Sequence, residues 1–377
     1  MNDSRSQSGS RQEKPGLTSR GAVGAALLAA LVVLGSALAV AGEPPAANLD
    51  GTETLGVDSP IGRIDYHPGR GLRLGDTGIT IGGFTKAEAE LLEGGDNRGG
   101  LEGPNFFLFF DPLPFVHAFA ELETGTLVGA KTGREGVRTG LAFGVERAYG
   151  DFGASDAATL RFGKFLTPVG RWNTILAEPL TWTTSTPLIV EDVFDQSTTG
   201  AMLWGSAFPK GGALSYSLYG AFLNPLSPDP EAPPAKHTAG AHLDWASLDG
   251  WAVGASYFAS QSPTGAWHQL GGVDGLWRPN ARVELSGESV FGEGSREDGA
   301  LWGLYAQAVV ETVDTLYAVG RYERFDPPDD GRSVDLFDVG LTWVPVYYLR
   351  LKADYSFVDH SNEFTTPGFQ ASFSILF

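Results

Sequence analysis

The sequence predicts an all-β fold: a transmembrane, antiparallel, up-and-down β-barrel of about sixteen strands. Three observations predict it. From residue 79 to the end, apolar and polar residues alternate in short runs, the period of two that marks a half-buried strand. The connections between those runs alternate between tight and long. The last run, 369–377, sets Phe369, Ala371, Phe373, Ile375 and Phe377 against Gln370, Ser372 and Ser374. In a bilayer every backbone N–H and C=O must find a partner within the protein, so a strand of this kind at the end of the chain is what a closing barrel requires.

Composition agrees with this. The chain of 377 residues has room for two soluble domains or one large barrel. Its mean hydropathy of −0.07 resembles that of a soluble protein. Barrel strands give that average because they place apolar residues only at every second position. The absence of Cys removes disulfides, thiolate metal sites, covalent haem attachment and a lipid-anchoring cysteine. A net charge of −19 argues against nucleic acid and anionic lipid headgroups as partners.

Residues 1–20 are polar and basic, and 21–40 form an apolar, Ala-rich run that ends in Ala39-Val40-Ala41. A basic start, an apolar core and a small-x-small site make a secretory signal peptide over 1–41. The apolar run is just long enough for an anchor helix, but the well-formed small-residue site and the Pro44-Pro45 pair favour cleavage. Residues 42–76 are rich in Pro, Gly and Asp without a sustained period and read as a periplasmic N-terminal arm, leaving 77–377 as the barrel.

Within the barrel, 111–114, 150–155, 209–212, 247–250, 278–280, 311–314 and 344–346 read as tight turns. The segments 93–104, 125–136, 224–236, 292–299 and 326–332 are longer and more polar. Short turns on one side and long loops on the other are the pattern of outer-membrane barrels, with both termini on the short-turn side. Facing follows from parity. Over 347–357, Tyr347, Leu349, Leu351, Ala353, Tyr355 and Phe357 share one face, and Arg350, Lys352, Asp354 and Ser356 share the other. A charge facing lipid at midplane costs roughly 2–4 kcal/mol, so the charged face lines the lumen. Lys164 has the wrong parity, which marks a rim position or a bulge. Trp245, Trp251, Trp277 and Trp343 all fall beside short turns and read as one aromatic girdle.

The longest connection, 166–197, joins the fifth and sixth strands and carries Trp172, Ile175 and Trp182. That is too much apolar surface for a loop in water, so it is expected to fold into the lumen and narrow it. Glu178, Glu191, Asp192 and Asp195 on this loop would then face Arg161, Arg321, Arg350 and Lys352 on the wall, with Arg171 beside them, as a constriction of mixed sign. Charged rings and pore diameter together select solutes. For any single residue, solvation of a wide lumen is the better account of its charge.

Sixteen strands, a long fifth-to-sixth loop and a terminal Phe resemble the bacterial porins. The stretch Gly163-Lys164-Phe165-Leu166-Thr167-Pro168-Val169-Gly170 is similar to a Gly-x-Phe-x-x-Pro-x-Gly segment of the phosphate-selective porin group and its relatives. The resemblance implies passive diffusion of small hydrophilic solutes or ions across a Gram-negative outer membrane. It also implies contact with outer-membrane lipid, and assembly as a homotrimer. Phe377 would be the aromatic residue read by the barrel-insertion machinery. Anion selectivity in that group depends on rows of Arg and Lys, whereas acids outnumber bases at the inward positions here, so phosphate specificity does not carry over.

An enzyme finds little support. No strand His has a Ser two residues away, and there is no Gly-x-Ser-x-Gly elbow, HExxH helix or phosphate loop, so no cofactor or metal is expected. His242 and Asp244 share an inward face and read first as a pore-lining pair. A structural or adhesive barrel with a plugged lumen is the remaining alternative. Mass spectrometry of the secreted chain should find Gly42 at the N-terminus; an intact 1–41 segment would make 21–40 an anchor.

Overall fold

The computed structural model describes residues 55–94, 97–131, 138–139, 143–175, 177–191, 193–226, 235–262, 265–293, 299–328, 332–359 and 366–377. The expected signal peptide lies outside them. Sixteen strands form the barrel: β1 (Ile79–Leu92), β2 (Asn105–Leu113), β3 (Val116–Thr124), β4 (Phe143–Ser155), β5 (Ala158–Leu166), β6 (Ser197–Ala207), β7 (Gly212–Ala221) and β8 (His237–Ser247) in the first half. The second half comprises β9 (Trp251–Gln261), β10 (Trp267–Asn280), β11 (Val283–Glu293), β12 (Ala300–Val313), β13 (Leu316–Asp326), β14 (Val334–Val346), β15 (Leu349–Val358) and β16 (Gly368–Leu376). Each pairs antiparallel with its neighbours in sequence, and β16 returns to β1 in the register Phe369↔Leu91 to Leu376↔Phe84. Closure leaves no unpaired edge, which is what a sheet in hydrocarbon must achieve.

Burial follows the parity of the sequence. On β7 to β10, Leu218, Leu243, Val253, Tyr257 and Val273 are about half exposed on the outside, while Ala252, Ser256, Phe258 and Asp274 are buried inside. On β15, Lys352, Asp354 and Ser356 are buried and Phe357 is exposed. The four girdle tryptophans lie at the short-turn ends. Trp251 and Trp277 pair across β9 and β10, and Trp343 donates to the Thr315 hydroxyl (3.2 Å) in the β12–β13 turn.

Three features differ from the sequence reading, and the first, a turn stretch that belongs to a strand, holds at 278–280 of β10 and 344–346 of β14 as well as at 150–155 of β4. β4 runs to Ser155, so the stretch 150–155 that reads as a turn is strand, and the hairpin reverses after it. Gly150 and Gly153 gave the turn signal, yet both pair with β5, with an irregularity only between Gly153 and Ser155. Lys164 is 7% exposed and its ammonium donates to the Val145 carbonyl (2.7 Å), where β4 is bulged between Val145 and Arg147. The third feature is order in the region 55–74, where Leu55–Ser59, Gly62–His67 and Gly71–Leu74 form a meander whose last strand pairs with β1 through Leu72↔Ile81. These strands are too short to show a period, and tight turns with left-handed Gly62 and Gly69 hold them.

The chain end is tied down twice. Phe377 N–H donates to the Gly83 carbonyl (2.9 Å), Gly83 N–H donates to the Phe377 carbonyl (3.0 Å), and the Phe377 ring meets Phe106 edge-on at 6.1 Å. Gly83 has φ +159, and a Cβ there would lie 2.0 Å from the Asn105 carbonyl oxygen and 2.8 Å from the Phe377 ring. Phe377→Ala removes the ring contact, a loss of about 0.5–1.5 kcal/mol. The variant should show a lower melting temperature in heat-modifiability gels, with the conductance of the folded fraction unchanged.

Candidate functional site

The segment between β5 and β6 sets the geometry of the interior. It opens on Thr167, which is completely buried, and its hydroxyl donates to the Asp195 carbonyl (2.6 Å), closing the base of the loop. Asn173 bridges the same base by donating to the carbonyls of Thr167 (2.7 Å) and Gln196 (2.9 Å). Among the described residues the segment forms short helical turns at Trp172–Ile175, Glu178–Leu180 and Leu188–Glu191, with Pro179 in the first turn of the second, where it is tolerated.

Beyond this base, the segment hydrogen-bonds to inward-facing residues from β9 to β16. Gly170 N–H donates to Ser256 (3.0 Å). The amides of Arg171 (2.9 Å) and Trp172 (2.6 Å) both donate to Glu288 Oε1, which also accepts from the Tyr305 hydroxyl (2.9 Å). Gly170 has φ +65, and a Cβ there would lie 1.9 Å from Glu288 Oε2, so only glycine lets the main chain approach this carboxylate. Further on, Trp182 donates to Glu284 (2.9 Å), Thr184 N–H to Asp354 (3.0 Å), and Leu188 N–H to Glu323 (2.8 Å).

Wall cations return the bonds. Lys352, 3% exposed, shares its three ammonium N–H groups among four nearby acceptors, Glu178 Oε1 (2.8 Å), the Glu178 carbonyl (2.8 Å), the Thr181 hydroxyl (2.6 Å) and the Thr183 carbonyl (3.0 Å). Arg350 donates to the Thr181 carbonyl (2.7 Å) and lies 4.9 Å over the Trp182 ring. Arg321 is fully buried and binds the Thr183 hydroxyl (2.6 Å) and the Ser185 carbonyl (3.0 Å) while pairing with Asp338 (2.5 Å) and Glu323 (2.7 Å). Arg171 reaches the wall in the opposite sense, pairing with Asp244 and with Asp274 (2.6 Å).

The apolar residues of the segment complete the attachment. Val169, Trp172, Leu188, Ile189, Val190, Val193 and Phe194 share a cluster with Phe165, Phe258, Leu270, Val290, Tyr305 and Phe325 of the strands. Trp172 is 4% exposed and packs edge-on against Tyr305 at 5.8 Å. Ile175 is a correction, being 44% exposed. A single turn over Trp172–Ile175 presents Trp172 and Asn173 to their partners and leaves Ile175 on the far side.

The residues singled out from the sequence therefore divide. Arg171, Glu178, Arg321, Arg350 and Lys352 meet at the contact between the segment and the wall, and Glu178 and Lys352 form a direct pair. Arg161 lies elsewhere, on β5, bidentate to Asp151 (2.7 Å for each bond) and 3.7 Å over the Tyr149 ring. Glu191 ends the short Leu188–Glu191 helix, Asp195 supplies its carbonyl to the base, and Asp192 is outside the described residues. Glu288, Ser185, Asp338 and Glu323 were missed as site residues. Inward parity made the three acids visible, but nothing in the sequence says which of many inward acids a loop amide will find.

His242, Asp244 and Asp274 bring one ligand atom each within 4.8 Å of one another and are the described residues that come nearest to a metal-binding set. The Arg171 guanidinium, paired with both carboxylates, already supplies the positive charge there. Beside this group a cavity of about 400 Å³ remains, lined by His242 itself, by Leu166, Pro168 and Thr174 of the β5–β6 region and by residues of β4 to β7, including Arg147, Tyr149, Arg161 and Trp204.

No protein-family profile and no curated protein sequence matches the chain. Solved structures do match. OmpF of Salmonella typhi, in a complex with daunomycin, superposes with a TM-score of 0.57 at 13% identity over 81% of this chain and 99% of that one. The anion-selective porin from Comamonas acidovorans gives 0.55 at 12% identity, with 79% and 99% covered. A variant of the Rhodopseudomonas blastica porin gives 0.52 at 11%, with 79% and 100% covered. At these identities the likeness is one of fold, a closed sixteen-stranded barrel of the kind these outer-membrane proteins form.

Replacing Arg321 with Met should strand the buried Asp338 and Glu323 carboxylates. Breaking a buried pair of this kind costs about 3–5 kcal/mol. The urea midpoint of the refolded protein should fall accordingly, with partial recovery in the double variant carrying Asp338→Asn.

Proposed function

We propose that this chain is an outer-membrane porin that lets small hydrophilic solutes or ions diffuse through a water-filled lumen, and that the 166–197 segment stands in that lumen and narrows it. The observation that carries the reading is the segment's set of partners. Its amides and carbonyls bond to inward-facing Ser256, Glu288, Glu323, Arg350, Lys352 and Asp354, residues spread over half of the ring. A loop held to so many inward positions of a closed barrel reduces the cross-section on that half. Passage is then confined to the other half, beside β4 to β8, where the cavity lies.

The wall cations have a different role in this reading from the transverse field that their charge alone suggests. Arg321 and Lys352 are buried beneath the segment and fix its position, so they set the width of the opening. Arg161 and Arg147 line the cavity and are the cations that a solute meets. The fold likeness to an anion-selective porin and to other outer-membrane proteins supports a channel and a homotrimer, the short turns and both chain ends facing the periplasm. Phe377 is read as the assembly signal for the insertion machinery.

Planar-bilayer recording tests the proposal. The purified protein should give discrete open steps, and a double Lys352→Met, Arg350→Met variant, with two of the segment's tethers cut, should give steps larger by about half or more with greater noise. A silent wild-type barrel that is correctly folded would make it a plugged structural protein.

A further inference from the structure

We infer that the meander over 55–74 is a membrane-contact surface, an extension of the sheet outside the ring whose apolar face rests on zwitterionic phospholipid at the short-turn rim. Which leaflet this is rests on the orientation proposed above, with the short turns in the periplasm. The contact itself does not.

Register and alternation give the meander two unlike faces. Residues directly opposite each other on paired strands share a face. Leu55 pairs with Tyr66 and Val57 with Ile64, and these two pair in turn with Leu72 and Leu74. Leu72 pairs with Ile81 of β1, and Ile81 with Leu108 of β2. Ile81 and Leu108 are 39% and 44% exposed on the outside of the barrel, where lipid lies. One apolar surface therefore runs from the lipid-facing wall onto the meander without a break. The other face sets Asp58 against Arg63 and Asp65 against Arg73, and leads to Thr80. Leu55 and Val57 are 66% and 70% exposed, and Ile61 in the turn between the first two meander strands is 49% exposed. Apolar residues so exposed along one side of a sheet mark a surface that meets lipid or protein.

Three observations choose lipid. The first is the continuity with Ile81 and Leu108, whose neighbour is already the bilayer. The second is position. Tyr347, at the β14–β15 turn, donates its hydroxyl to the Pro68 carbonyl, and the Arg70 guanidinium lies 5.9 Å from the centre of the Tyr347 ring. These contacts hold the meander at the rim, the level at which tyrosine anchors a protein in the interface and arginine reaches the headgroups. The third is charge. Between residues 55 and 76, Asp58, Asp65 and Asp76 balance Arg63, Arg70 and Arg73, three against three, in a chain whose net charge is −19. The acidity that repels a lipid surface elsewhere is absent here, and a neutral sheet suits zwitterionic headgroups.

The backbone sets the depth. Among the described residues, Leu55–Ser59 pairs only with Gly62–His67, which leaves one row of its N–H and C=O groups for solvent. Hydrocarbon cannot satisfy such groups. The strand therefore lies among headgroups and water, with the Leu55 and Val57 side chains directed at the acyl chains, as in other amphipathic segments that lie along a membrane surface.

The chain has no cysteine, so single-cysteine variants report single positions. Val57→Cys, Asp58→Cys and Leu248→Cys would each carry a nitrobenzoxadiazole probe on the full-length barrel in phosphatidylcholine vesicles, after a heat-modifiability gel shows the variant folded. Leu248 is 84% exposed beside a short turn and serves as the aqueous reference. The Val57 probe should emit to the blue of the Leu248 probe and lose about a third or more of its intensity to brominated lipid, most when the bromine is near the glycerol end of the chain. The Asp58 probe should stay accessible to aqueous iodide. A Val57 probe as open to iodide as Leu248 overturns the inference. So does one shielded from iodide and bromolipid alike, and a disulfide between two Val57→Cys chains would identify the cover as a second copy. Other measurements keep the readings apart. Labelling of Leu248→Cys by an impermeant maleimide on intact cells would reverse the orientation and leave the contact standing, and a silent barrel whose Val57 probe is quenched by lipid would sink the passage alone.

Discussion

A backbone that crosses hydrocarbon has no water to bond with, and most of this molecule follows from that constraint. It forces the strands into a closed ring, with β16 sealed against β1 and the terminal Phe377 locked to Gly83. Closure in turn fixes which side chains face lipid and which face the interior. A strand alternates strictly, so every charge kept out of the lipid is turned toward the lumen.

The interior then holds a second problem, one of buried charge. Glu288, Glu323, Asp338, Asp354, Arg321 and Lys352 are almost wholly removed from solvent, and such groups persist only when paired. The segment between β5 and β6 meets that need with its main chain. Its amides go to the carboxylates and its carbonyls and hydroxyls go to the cations. Wall and segment are therefore mutually dependent. Without the segment Glu288, Lys352 and Asp354 would lose partners, while Arg321 would keep Glu323 and Asp338, and without the charges the segment's polar backbone would have fewer ligands.

This dependence divides the interior. Along β9 to β16 polar groups are used to hold protein to protein. Along β4 to β8, Arg147 and Arg161 are paired within the wall, to Glu121 and Asp151. The function proposed for each half follows from this division. The same fold recurs in OmpF and in the Comamonas acidovorans porin at 12–13% identity, as expected when the constraint acts on parity and closure more than on individual residues.

The sequence by itself determined a barrel of about sixteen strands, the two faces and the side on which the chain ends lie. Period-two alternation and loop length are local properties, and a bilayer reads them directly. It also marked the 166–197 segment through Trp172 and Trp182, and the Gly163 to Gly170 stretch whose last glycine turns out to sit against Glu288. Where strands are broken by glycine, as at 150–155, local signals misled, because pairing with β5 supplies what the residues lack. Only the tertiary structure decided which charges meet. Arg321 and Arg161 look alike as inward arginines, yet one is fixed beneath the segment and the other faces the cavity. That difference depends on where a long loop comes to rest, and parity along a strand says nothing of contacts across a barrel.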